Sequence, residues 1–127
     1  MITVTKVDHV ALTVRDLRRS EEFYRDVLGF KALGPLDGHV FMKSGEVELA
    51  LFQVKDARKA REPGGWDNID VQHVAFTVGK KEFEDAQTFL NSKGVKSEGP
   101  VDHGSALSIY FKDPDGNTFE LTYNKEG

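Results

Sequence analysis

From residue 3 to residue 14 polar and β-branched positions alternate with period two, which predicts a strand. Val10, Leu12 and Val14 fall on one face; Val7, His9, Ala11 and Thr13 fall on the other. The period then lengthens. Leu17, Phe23, Tyr24, Val27 and Leu28 make the apolar stripe of a helix ending at residue 28, with Asp16 as its N-cap. Gly29 stands where a left-handed residue closes a helix. Strands are predicted over 30–36, over 39–43 after a turn at Asp37-Gly38, and over 46–52 after Ser44-Gly45. In the last of these Glu46, Glu48, Ala50 and Phe52 share one face, against Val47, Leu49 and Leu51. The order is βαβββ.

Residues 53 to about 70 break the pattern, with a charged run over 55–62 and then Pro63-Gly64-Gly65. The same order then returns. A strand is predicted over 71–78, with Val71, His73, Ala75 and Thr77 on one face. A helix follows over 80–93, with Phe83, Ala86, Phe89 and Leu90 inward and Gly94 at its end. Strands over 95–101, 106–112 and 118–123 complete the set. Asp113-Pro114-Asp115-Gly116 is a turn signal between the last two. Thr118, Glu120 and Thr122 face one way there; Phe119, Leu121 and Tyr123 face the other.

The two halves are copies. Residues 7–14 and 71–78 agree at six of eight positions, the histidine included, and Gly34-Pro35-Leu36-Asp37 is echoed by Gly99-Pro100-Val101-Asp102. Each half closes on a Glu-Leu pair, Glu48-Leu49 and Glu120-Leu121. Internal repeats of this kind govern the fold. The expectation is therefore α+β: module one over 1–53, a linker over 54–70, and module two over 71–127. Two βαβββ modules would form a cup-shaped, curved mixed sheet with the helices outside.

Composition narrows the chemistry. A net charge of -4 with no basic stripe argues against nucleic acid. No cysteine is present, so neither a disulfide framework nor a thiolate metal site is available. No apolar run approaches a membrane span, and the first residues lack the pattern of a signal peptide, so a cytoplasmic protein is expected. Any metal must sit on nitrogen and oxygen ligands.

One face of each candidate strand is densely apolar and should pack on the helices. The other carries His, Glu, Ala, Thr and Ser, a mixture suited to a lined cavity. Such a cavity would gather His9, Glu48, His73 and Glu120, two imidazoles and two carboxylates, around a borderline divalent cation such as Zn, Ni, Mn or Fe. A strand histidine alone is usually structural. Inherited packing, however, gives no reason for each module to offer a Glu on its less apolar face, where an unpaired carboxylate is costly. Glu48 or Glu120 could act as general base, and Tyr110 could touch a substrate or pack in the core. His39 and His103 lie in or beside loops and are expected to be solvated. Trp66 is expected to be an exposed linker aromatic, with a lid or a dimer contact as the alternatives.

At these residues the sequence resembles the vicinal oxygen chelate superfamily: glyoxalase I, bleomycin and fosfomycin resistance proteins, and extradiol dioxygenases. The resemblance spans nearly the whole chain. It is carried by residues 8–17, by Phe23-Tyr24 through Leu28-Gly29-Phe30, by His73-Val74-Ala75-Phe76, and above all by residues 109–117 followed by Glu120-Leu121. It implies paired βαβββ modules, metal ligands at His9, His73 and Glu120, and, from glyoxalase I, a fourth ligand matching Glu48. It also implies a homodimer, because the family commonly pairs modules across chains. Thr13 stands where glyoxalase I carries an arginine, and Ala11 where fosfomycin-modifying relatives carry a threonine. Tyr110, ten residues before Glu120, matches a tyrosine of extradiol and fosfomycin enzymes.

The reading is a metal-dependent lyase or isomerase acting on a small oxygenated substrate. The alternatives are an iron-dependent extradiol-type dioxygenase and a metal-free drug-binding protein of the bleomycin-resistance type.

Overall fold

The computed structural model describes residues 1–125; residues 126 and 127, the end of the expected second module, lie outside the described residues. The chain divides into two compact units, Met1–Ala60 and Arg61–Gly127. The division falls inside the stretch read as linker.

Unit one runs β1 (Val10–Val14), α1 (Leu17–Asp26), β2 (Lys31–Ala32), β3 (His39–Ser44) and β4 (Val47–Gln53), followed by a single 3-10 turn at Ala57–Lys59. Its sheet has the order β1-β4-β3-β2, with β1 parallel to β4 and the other pairs antiparallel. Unit two repeats the plan with β5 (Val74–Thr77), α2 (Lys80–Ser92), β6 (Ser97–Asp102), β7 (Ala106–Lys112) and β8 (Thr118–Asn124). Its order is β5-β8-β7-β6, with β5 parallel to β8. The fold is thus α+β, two βαβββ modules of four strands each, and neither sheet closes on itself.

The predicted faces hold. Val14, Val40, Met42, Leu49 and Leu51 are buried with Leu17 and Tyr24 of α1; Ile109, Phe111, Phe119 and Leu121 are buried with Phe83, Ala86 and Leu90 of α2. Each such Val, Leu, Ile, Phe or Met side chain contributes roughly 1.5–3 kcal/mol by leaving water. Asp16 caps α1 by accepting the Arg19 N–H at 3.1 Å. Gly29 ends it at φ +73°, where its N–H reaches the Arg25 carbonyl at 3.2 Å.

Several boundaries differ from the sequence reading. The strands expected over 3–14 and 71–78 shorten to β1 and β5, because pairing begins only where β4 and β8 run alongside. His9 and His73 consequently stand one residue before their strands, and residues 1–9 are exposed. The strand expected over 30–36 shrinks to Lys31–Ala32. Phe89 is not inward but 42% exposed, with the Lys93 ammonium 5.7 Å from its ring. No helix among the described residues is long and apolar enough to cross a membrane.

Candidate functional site

The β7–β8 hairpin is fixed by its turn. The buried Asp113 carboxylate accepts the Asp115 N–H at 2.9 Å, the Asn117 N–H at 2.8 Å and the Asn117 side-chain amide at 2.9 Å. This locks the register in which Tyr110 stands opposite Glu120 and Ser108 opposite Thr122. On the other side of β8, Ala75 of β5 stands opposite Glu120. Glu120 therefore lies in the middle of the sheet, between Ala75 on one side and Tyr110 on the other.

Its carboxylate is paired by side chains of the protein itself. His73 Nε2 lies 3.0 Å from Oε1, and the hydroxyl of fully buried Ser108 donates to Oε2 at 2.5 Å. His73 Nδ1 meets the Gln72 side-chain carbonyl. The ring is thus oriented from behind, with Nε2 aimed at the carboxylate, the arrangement in which outer partners set a histidine ligand. Tyr110 packs its ring at 81° to His73, centroids 6.0 Å apart, and its hydroxyl bonds His103 Nε2 at 3.2 Å. His103, expected to be solvated, is exposed but bonds the Tyr110 hydroxyl. Ser108 and Gln72 were not singled out by sequence reasoning. Ser108 was visible there only as a small polar residue on the face of Tyr110.

In unit one the exposed His9 bonds the Asp8 carboxylate through Nδ1 at 2.8 Å, so Nε2 is not used in that bond. The hydrogen bond from His9 holds the Asp8 carboxyl below the usual carboxylate range. Glu48, half-buried on β4, stands opposite Lys43 and has no hydrogen bond or ion pair among the described residues.

The registers separate the two glutamates. In unit two the residue opposite Ala75, two after the histidine, is Glu120; in unit one the residue opposite Ala11, two after its histidine, is Ala50. Position for position Glu120 matches Ala50, and Glu48 matches Thr118. The repeated Glu-Leu pair is a coincidence of sequence offset by one strand period, not a repeat of position.

His73 and Glu120 suit a divalent ion. Two neighbouring ligands at right angles, each about 2.1 Å from one ion, lie about 3.0 Å apart, the spacing of His73 Nε2 and Glu120 Oε1. Imidazole with carboxylate is the donor chemistry of Zn, Fe, Mn and Ni. Among the described residues no three His, Asp or Glu side chains gather at one point. Of the four expected ligands the structure brings His73 and Glu120 together.

The Glyoxalase/Bleomycin resistance protein/Dioxygenase superfamily model matches residues 6–121. The chain belongs to this superfamily. It is 36% identical over 120 residues to metallothiol transferase FosB of Staphylococcus saprophyticus, covering 93% of this chain and 76% of that protein. It is 31% identical to glutathione transferase FosA of Serratia marcescens, covering 91% and 78%. Biphenyl-2,3-diol 1,2-dioxygenase 2 of Rhodococcus globerulus is 30% identical over 95% of this chain and 64% of its own length. Among solved structures, an integron cassette protein from the mobile metagenome of the Halifax Harbour sewage outfall is 33% identical, with a TM-score of 0.75 over 94% of this chain and 99% of that one.

Proposed function

We propose that the protein is a metal-dependent enzyme that binds the adjacent oxygens of a small substrate on a divalent ion held by His9, His73 and Glu120, with Glu48 as a displaceable ligand or base. The carrying observation is the His73–Glu120 pair, 3.0 Å apart and backed by Gln72 and Ser108. His9 supports it, with its Nδ1 bonded to the Asp8 carboxylate as an outer partner. The ion would supply Lewis acidity, drawing charge onto the substrate oxygens.

The chain's own groups then divide the work. Ser108 holds Glu120 against rotation. Tyr110, with its hydroxyl on His103, offers a donor beside His73 for an oxygen gaining charge. Glu48 accepts a proton from a carbon next to the oxygens. This is lyase or isomerase chemistry. The names of the two Fos relatives, a metallothiol transferase and a glutathione transferase, add group transfer as a further reaction type for the same metal site. The protein works as a homodimer in which His9 reaches the His73–Glu120 pair of the same chain or of the second copy.

The test is metal analysis of protein purified without chelator, with thermal melts in added Mn, Ni, Zn and Fe(II). The melting temperature should rise with metal, and His73→Ala should abolish most of the rise. A wild type that melts at one temperature throughout and holds no metal in dialysis would sink the reading.

A second reading is supported by one observation, the Tyr110–His103 bond next to the His73–Glu120 pair; the proposed set of two histidines and one carboxylate is also that of non-haem iron oxygenases. Oxygen uptake with catechols, dependent on Fe(II), would select it.

A further inference from the structure

We propose that unit one supplies a subsite for a flat aromatic group: His39, Phe41 and Phe52 receive the ring of a small aryl oxyanion, and Lys43 meets its charged end. The proposal rests on the metal-enzyme reading only for where the substrate's remaining oxygens go.

The register makes the case. On the sheet face opposite α1, Lys43 pairs with Glu48, Phe41 with Ala50 and His39 with Phe52. The matching pairs of unit two are Lys112 with Thr118, Tyr110 with Glu120 and Ser108 with Thr122. The lysine is kept. The carboxylate is replaced by Ala50, the tyrosine by Phe41, and the serine and threonine by His39 and Phe52. Where unit two builds a polar site, unit one builds an aromatic one on the same scaffold.

These rings are assembled and open. His39 stacks on Phe52 at 21° with centroids 5.7 Å apart, and meets Phe41 edge-on at 78° and 5.4 Å. His39 is the exposed first residue of β3, where the sequence pattern put the start of a strand, and its ring lies against two others. Phe41 and Phe52 are each 40% exposed, whereas Val14, Val40, Met42, Leu49 and Leu51 of the same sheet are buried. An aromatic ring prefers to stack or meet such rings edge-on, so it gains both burial and geometry here.

The charge pattern fixes the other end. Lys43 makes no ion pair among the described residues, although Glu48 stands opposite it. One strand period is about 6.7 Å, so Lys43 lies about 7 Å from the level of Phe41 and about 13 Å from that of His39. That span accepts an anionic group carried directly on one benzene ring, the anion at Lys43 and the ring between Phe41 and the His39–Phe52 stack.

The experiment is a nuclear magnetic resonance titration of the full chain, chelator-treated, with phenylphosphonate and with methylphosphonate. Phenylphosphonate should move the ring signals of His39, Phe41 and Phe52 saturably; methylphosphonate should leave them still. Phe52→Ala and the volume-keeping Phe41→Leu should each weaken phenylphosphonate about tenfold while metal binding stays at the wild-type level. Ring signals that ignore both compounds, or that follow protein concentration instead, would overturn the proposal; the latter would show that a second copy covers this face. Metal affinity is read in a separate titration, so failure of the metal reading is visible apart from failure of the aromatic subsite.

Discussion

Ser108→Ala isolates the support of the Glu120 carboxylate. Ser108 is fully buried, and its hydroxyl donates to Glu120 Oε2 at 2.5 Å. The substitution removes one oxygen, opens no cavity larger than that atom, and leaves a nearly buried carboxylate oxygen short of a donor. A hydrogen bond to a charged group is worth about 1.5–3 kcal/mol. If the 127-residue chain melts as one unit, its unfolding entropy is about 0.27 kcal/mol/K, so the melting temperature should fall by about 6–11 °C. If unit two melts alone the fall is larger. The second effect falls on metal. Loss of an outer partner costs about 10–100-fold in affinity. Metal at 100 times its wild-type dissociation constant stabilises the wild type by about 2.7 kcal/mol, and the variant by only about 0.4–1.4 kcal/mol at the same concentration. Calorimetric melts with and without metal, paired with isothermal titration, measure both. Should the variant melt with the wild type and bind metal equally well, the Ser108–Glu120 bond contributes nothing and the site geometry argued from it is wrong.

Mixing His9→Ala with Glu120→Ala protein and allowing subunits to exchange tests how the site is assembled. A site built across a homodimer should regain about a quarter of wild-type metal sites, since half the dimers are mixed and each carries one intact site; a site built within one chain regains none. Lys125 donates to both oxygens of Asp102 at 2.9 Å and, with the Gly104 N–H, holds that carboxyl below the ordinary range. Because the folded value is depressed, this contribution is present above about pH 4 and disappears as pH falls through the folded value. Lys125→Met should therefore melt closer to the wild type at pH 2.5 than at pH 7, and a constant gap would refute it. Gly99 sits at φ +119°, and an added Cβ would lie 2.7 Å from the Ser108 carbonyl oxygen. Gly99→Ala should lose at least about 1–3 kcal/mol in urea unfolding, the strain falling on the strand that carries Ser108.

The hydrophobic pattern alone determined most of the architecture. Alternation gave the strands and their faces, and period 3.6 with Asp16 and Gly29 gave α1. The near-identity of residues 7–14 and 71–78 gave the duplication, because each module must bury one face and a repeated sequence buries it in the same way. Asp113-Pro114-Asp115-Gly116 announced the turn that sets Glu120. What the pattern could not supply is register. Alternation tells which face a residue occupies but not which residue stands opposite it, and a shift of two keeps every face unchanged. For that reason Glu48 and Glu120 read as equivalents in the chain, whereas pairing with β1 and β5 assigns the equivalent position to Ala50. The partners of Glu120, the orientation of His73 by Gln72 and the stacking of His39 on Phe52 all depend on contacts between residues distant in sequence or on rotamers set by packing. Only the tertiary structure decides these, since the free energy of such contacts exists only after the chain's backbone has closed the loops between them.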